Sequence, residues 1–236
     1  MNKNILVSIL GGLTLAAVVP ALAADNTGAE PVRKNSVRLG YYFVTYDVKG
    51  TDLTGPFTPP GLRSDLKDVQ TPYLAYVRRW TPHLHTELAF GVPPKTTAVA
   101  KGPALLGSVP FNGQEVLTAR WLSPTLLFNW VFRDETAALR PYVGVGINYT
   151  RFVERRATPS GEAITGGPTS VDLSSSTGFA ATAGLSYHIQ GAWNVYASYS
   201  ISNVSSNLRT TTAGIVRTSH IDFNPRAIVV SVGYSF

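Results

Sequence analysis

Ala227-Ile228-Val229-Val230-Ser231-Val232-Gly233-Tyr234-Ser235-Phe236 is the stretch whose reading decides the fold. Counted back from Phe236 in twos, Tyr234, Val232, Val230 and Ile228 are all large and apolar. Ser235, Gly233, Ser231 and Ala227 fall on the other parity and are small or polar. Successive strand side chains point to opposite faces, so this strand has one apolar face and one nearly bare face. A soluble antiparallel sheet also alternates, but there the apolar face meets a core. Here that face ends on an aromatic pair at the last residues, where a soluble domain frays. Aromatics at a strand end beside a band of aliphatics suit a lipid–water boundary. The stretch therefore predicts a strand of a closed transmembrane β-barrel, paired back to the first.

The same alternation recurs upstream. Val37, Leu39, Tyr41 and Phe43 share a parity from Asn35 onward, and residues 50–68 read as a long loop rich in Pro and Gly. Further strands are predicted over residues 69–80, 84–92, 115–132, 139–153 and 178–189, with another opening at Trp193. Residues 93–114, 154–177 and 205–220 read as long loops, whereas Thr81-Pro82-His83, Arg133-Asp134-Glu135-Thr136 and Gln190-Gly191 read as short turns. Pro124 falls on the outward parity of the longest strand and predicts a bulge or bend, since it has no N–H for the ladder. The result is eight strands whose connections alternate long and short. That is the outer-membrane arrangement, with short periplasmic turns and long extracellular loops. A β-sandwich would scatter its loop lengths. A soluble lipocalin-like barrel would carry its apolar face inside, but the second face here is rich in Gly, Ala and Ser, a poor coat against water.

The N-terminal region fits export. Lys3 precedes an apolar run from Ile5 to Val19, then Pro20-Ala21-Leu22-Ala23. This predicts a signal peptide over residues 1–23, a short periplasmic arm over 24–34 and the barrel over 35–236. No later stretch has on the order of 18 uninterrupted apolar residues, so spanning must be done by strands. Loss of Lys3 lowers the net charge from +6 to +5. The surplus is dispersed over Arg33, Arg63, Arg155, Arg156, Arg209 and Arg217, which suits anionic lipid headgroups and forms no nucleic-acid-binding cluster. With 0 cysteines, disulfides, thiol catalysis and Cys-ligated metals are excluded.

The fourth and fifth strands carry a family likeness. Leu122-Ser123-Pro124-Thr125-Leu126-Leu127-Phe128-Asn129-Trp130-Val131-Phe132 is followed by Arg140-Pro141-Tyr142-Val143-Gly144-Val145-Gly146-Ile147-Asn148-Tyr149-Thr150. These segments resemble the outer membrane protein W (OmpW) family. Val37-Arg38-Leu39-Gly40, Glu87-Leu88, Trp193 and the closing Gly233-Tyr234-Ser235-Phe236 agree with it. The resemblance implies an eight-stranded barrel with a narrow apolar lumen, passage of small hydrophobic molecules and sideways release into the bilayer. Ser186 stands where the family leads one to expect an acid, and Tyr199-Ser200-Ile201-Ser202 lacks its acidic pair. The partners implied are outer-membrane lipid and lipopolysaccharide, small hydrophobic solutes, and the barrel-assembly machinery acting on the strand that ends at Phe236. No cofactor and no nucleic acid are expected.

Inward parity then predicts the lumen. At the short-turn end it collects Arg38, Arg79, His85, Glu87, Arg140 and His188, expected to form a hydrogen-bonded plug around Glu87. The competing reading, an acid–base or metal site at Glu87 and His85, is disfavoured by the arginines, which repel a cation. Higher up, Gly144, Gly146, Gly184, Ser198 and Ser200 are small, and Tyr42, Val44, Tyr73 and Phe152 are large. Eight strands enclose only enough room for their own side chains, so a small-residue wall opposite aromatics predicts space for a slim apolar ligand. Pro124 marks the expected side opening. Two other classes stay open: a surface-interaction barrel whose loops bind partners, and a lipid-modifying enzyme. For the latter, Ser186 with His188 and His220 with Asp222 lack a third group at a recognisable spacing.

Overall fold

A computed structural model describes residues 33–106 and 109–236. The expected leader and all but the last two residues of the expected arm lie outside the described residues. Eight long strands form the barrel: β1 (Asn35–Tyr46), β2 (Val69–Arg79), β3 (Leu84–Gly91), β4 (Thr125–Val131), β5 (Leu139–Ala157), β6 (Ser176–Gln190), β7 (Trp193–Ser202) and β8 (Pro225–Ser235). Each pairs antiparallel with the next in sequence. β8 pairs with β1 from Ser36–Ser235 to Tyr46–Pro225, which closes the ring. The seam runs to the last residue: Asn35 N donates to Phe236 O at 3.0 Å and Phe236 N to Asn35 O at 2.8 Å. Closure leaves no free sheet edge, which a hydrocarbon environment requires.

The apolar parity faces outward along the whole circumference. Leu39, Tyr41 and Phe43 on β1, Leu126 and Phe128 on β4, Val143, Val145 and Ile147 on β5, and Ile228, Val230 and Val232 on β8 are all exposed. Exposure of large apolar side chains on every strand would be a liability in water and is a requirement in lipid. Around the short-turn rim Trp80, Trp130, Trp193 and Tyr234 form an aromatic girdle. Trp193 meets Tyr234 edge-on at 5.0 Å, and the His83 ring stacks on Trp130 at 5.5 Å.

Two expectations are corrected here. Residues 115–132 are not one strand: Glu115–Leu122 and β4 are separate, and Ser123-Pro124 lies between them. The long connections are also far from irregular. Lys95–Lys101 pairs with Glu115–Leu122 and with Arg63–Leu66, so the wall continues above the lipid band. Thr169–Leu173, Ser205–Thr212, Ile215–Asp222 and Lys49–Gly50 form a second sheet. The Pro- and Gly-rich composition hid these strands, yet Thr96, Ala98 and Ala100 alternate inward, and Ser205–Thr212 is rich in β-branched Thr. A short helix, Pro159–Thr165, is capped by Thr158 Oγ1 accepting from Gly161 N at 3.0 Å.

This canopy has its own core of Val171, Leu173, Val204, Leu208, Ile221 and Phe223, with Phe152 of β5 and Tyr46 of β1 packed against it. Polar contacts fix its rim. The Asp52 carboxylate accepts from Arg63 Nε at 2.7 Å and from Gly61 N at 2.9 Å, which holds its carboxyl below the usual carboxylate range.

Candidate functional site: a plugged lumen beneath an apolar cavity

Glu87 is the centre of the lower lumen. It is buried on β3, and its carboxylate accepts from three other strands. Arg38 Nη1 on β1 and Asn129 Nδ2 on β4 both donate to Oε2 at 2.8 Å, and the Tyr73 hydroxyl on β2 donates to Oε1. The guanidinium of Arg38 also lies over the Tyr196 ring of β7 at 3.7 Å, with the Tyr142 ring of β5 5.8 Å away. A buried ion pair persists when its remaining lone pairs and protons are satisfied. Here the carboxylate has three donors and the cation lies against aromatic π-faces, although Arg38 Nε and Asn129 Oδ1 are buried with no hydrogen-bond partner among the described residues.

Of the six residues expected in the plug, only Arg38 and Glu87 meet. Arg79 reaches down to Glu135 at 3.2 Å. Arg140 Nη2 donates to Pro82 O at 2.6 Å and Arg133 O at 3.2 Å, tying two turns together. His85 lies beside them with a buried Nε2 that has no partner among the described residues. His188 is exposed and contacts Asn194 Oδ1 at 3.3 Å. These four make the polar rim below the plug. Asn129, Tyr142 and Tyr196 complete the site beyond the six expected residues, and their inward parity is the signal that places them in the lumen.

Ser186 is turned away from His188, with its Oγ donating to Arg140 O at 3.1 Å. His220 does meet Asp222, Nε2 to Oδ1 at 3.4 Å, but its Nδ1 contacts Asn207 Oδ1 at 2.8 Å, so among the described residues the pair gains no hydroxyl.

Above Glu87 lies a cavity of about 130 Å³ that rises into the canopy. Of the expected lining, Tyr42, Val44, Tyr73, Phe152, Ser198 and Ser200 surround it, joined by Leu127, Ala180, Val229 and, from the canopy, Leu208 and Phe223. Gly144, Gly146 and Gly184 do not line it. Their bareness admits neighbours instead: a Cβ on Gly146 would fall 1.9 Å from Leu126 O, and one on Gly184 2.6 Å from Tyr142 Cζ.

The wall beside Pro124 is asymmetric. On the β5 side the register is unbroken, since Tyr149 N donates to Pro124 O at 3.0 Å and Arg151 stands opposite Leu122. A buried polar cluster reinforces that side: Asn148 Nδ2 donates to Ser123 Oγ at 2.8 Å and to Thr125 Oγ1 at 2.7 Å, and Thr150 donates to Asn148 Oδ1 at 2.8 Å. On the β3 side the ladder stops at Thr125–Ala89 and resumes at Arg120–Lys95, one register step out. Among the described residues no ladder pair joins residues 90–94 to 121–124. Pro93 and Pro94 supply no N–H there, and the Arg120 guanidinium spans the gap to Pro93 O at 2.9 Å.

A model of the OmpW family matches residues 67–236. The chain belongs to the OmpW family. Outer membrane protein W of Salmonella typhi is 29% identical over 142 residues, covering 57% of this chain and 66% of that protein. The Escherichia coli K12 protein of the same name is 30% identical with the same coverage, so the chain spans just under two thirds of the length of these relatives. Among solved structures, OprG from Pseudomonas aeruginosa superposes with a TM-score of 0.77 at 20% identity, over 86% of this chain and 95% of that one. AlkL, solved in lipid bilayers, superposes with a TM-score of 0.59 at 17% identity, over 91% and 97%. The shared fold is the outer-membrane barrel, and this OmpW-family protein lies in the outer membrane with its strands in the bilayer.

Proposed function

We propose that this OmpW-family barrel gives small hydrophobic molecules passive passage from the outside into the bilayer, with lateral release through the wall. The observation that carries the reading is the change in character along one lumen. Apolar groups from Phe223 to Leu127 line the cavity, and the buried, ion-paired Arg38 and Glu87 form its floor. An apolar solute entering from the canopy is favoured by burial. To go straight on, it would have to displace a hydrogen-bonded ion pair that it cannot replace. Sideways exit meets only hydrocarbon.

The exit belongs where the wall lacks ladder bonds, between residues 90–94 and 121–124, on the β3 side of Pro124. Leu122 and Val92 border this gap and are exposed toward lipid. The same reading takes residues 1–23 as an export signal removed after Ala23, the strand ending at Phe236 as the segment presented to the barrel-assembly machinery, and lipopolysaccharide as the lipid around the canopy. It assigns no chemistry to the lumen, so the protein acts as a conduit and not as an enzyme.

Uptake of apolar solutes by cells with and without the protein tests this. Ser200→Phe places a ring in the cavity and is expected to reduce uptake to the level of cells without the protein. Unchanged uptake in a correctly folded Ser200→Phe barrel would overturn the route.

A further inference from the structure

Above the lipid band, several basic side chains come with acids, and Lys95, Arg151, Arg156 and Arg209, which among the described residues do not, are exposed. Arg63 meets Asp52 at 2.7 Å, Arg120 meets Glu154 at 3.0 Å and Arg226 meets Asp47 at 2.9 Å. Lys67, Lys101 and Arg155 are paired with Glu115, Asp65 and Asp172. Arg217, on the canopy strand Ile215–Asp222, is more buried than any of these, at 9% exposed. Among the described residues no carboxylate lies within ion-pair distance of it.

Its position is fixed by neighbours that carry no charge. Arg217 Nε donates to Thr58 Oγ1 at 3.1 Å, and the Thr58 hydroxyl donates onward to Pro56 O at 3.2 Å, which turns a hydroxyl lone pair toward the guanidinium. The loop carrying Thr58 lies directly over the arginine stem: a Cβ on Gly55 would fall 3.0 Å from Arg217 Cγ. Nη1 is buried without a hydrogen-bond partner. Thr210 stands directly opposite Arg217 on the ladder, and its buried Oγ1 also has no partner. Both side chains share the sheet face of Leu208 and Ile221, two of the cavity-lining residues.

A guanidinium buried without a counter-ion is destabilising, and its planar array of N–H donors fits the oxygens of a phosphate-type anion. We propose that Arg217 and Thr210 bind a phosphate-type oxyanion at the outer end of the canopy. Nη1 and the Thr210 hydroxyl donate to it, and Thr58 orients the guanidinium. The same chemistry is offered by inorganic phosphate and by phosphate esters on lipopolysaccharide.

The test is thermal unfolding of the folded barrel in detergent, in phosphate and in chloride at matched ionic strength. Phosphate raises the wild-type midpoint, leaves Arg217→Met unmoved, and is needed at about tenfold higher concentration by Thr210→Val. In chloride Arg217→Met is at least as stable as wild type, because a buried unpaired charge is gone. An Arg217→Met variant weakened equally in both salts would make Arg217 structural and overturn the site, as would equal phosphate shifts in wild type and variant. Arg217→Lys, which keeps the charge and loses the fork, provides the weakened response should the Met variant not fold. Bicelles of phosphorylated and dephosphorylated lipopolysaccharide separate the sources. Binding only to the phosphorylated lipid, with no response to inorganic phosphate, assigns the site to a lipid-borne group. Response to both makes the free anion sufficient, and response to neither overturns the proposal.

Discussion

Glu87 accepts from Arg38, Tyr73 and Asn129, so one carboxylate holds four neighbouring strands at the same height. Removing it leaves the Arg38 charge buried and uncompensated. Glu87→Ala is expected to destabilise the barrel by about 3–5 kcal/mol, read as a lowered unfolding midpoint in detergent, and Glu87→Gln by less. Tyr73→Phe removes one charge-assisted bond and should cost about 1.5–3 kcal/mol by the same measurement. An Arg38 and Glu87 on the lipid side would show no such losses. The pair was legible in the sequence because a period of two leaves no choice of face. The partners were not. Tyr73 reads as apolar lining, and its ring does line the cavity, but where its hydroxyl points is set by packing across strands. Arg79 and Arg140 are long enough to abandon the lumen for Glu135 and the turn carbonyls, which parity cannot foresee. Gly144 and Gly184 read as open space, and the structure fills that space with Asn129 and Tyr142.

Among the strands, the seam between β1 and β8 and the gap between residues 90–94 and 121–124 are opposites. The first is hydrogen-bonded along its whole length, and the second is crossed by one arginine side chain. Amide hydrogen exchange should therefore be fast at Gly91 and Trp121, whose N–H groups face the gap, and slow at Leu39, Tyr41 and Val230. Equal protection at both places would argue against a weak wall. Pro124 was legible as a lesion in the sheet, but its side was not. That side follows from Pro93 and Pro94 on one flank and from the Asn148–Ser123–Thr125 cluster on the other. The composition of residues 93–114 pointed to a loop, because the strand Lys95–Lys101 begins directly after two prolines.

At the scale of the molecule, eight strands with alternating short and long connections lead to the expectation that the canopy lies outside and the turns in the periplasm. The chain has 0 cysteines, so introduced ones report without background. Phe57, 87% exposed on the loop after β1, should be labelled from outside intact cells as Phe57→Cys, and Asp134→Cys in the turn after β4 should not. The reverse pattern would invert the topology. The barrel was readable from hydrophobic parity, since lipid demands an apolar outer face on every strand. The depth of the cavity was not, because it depends on a canopy that assembles from four separate stretches of chain.

On the proposed route, solutes use an apolar chamber closed below and leaky at the side. That route is tested most directly by uptake into intact cells of an apolar solute and, in parallel, a small hydrophilic one, comparing wild type, Ser200→Phe and Glu87→Gln. The expected result is apolar uptake that Ser200→Phe abolishes and Glu87→Gln leaves unchanged, with the hydrophilic solute excluded in all three. Faster uptake of both solutes through Glu87→Gln, with Ser200→Phe behaving as wild type, would contradict it and show a straight aqueous pore.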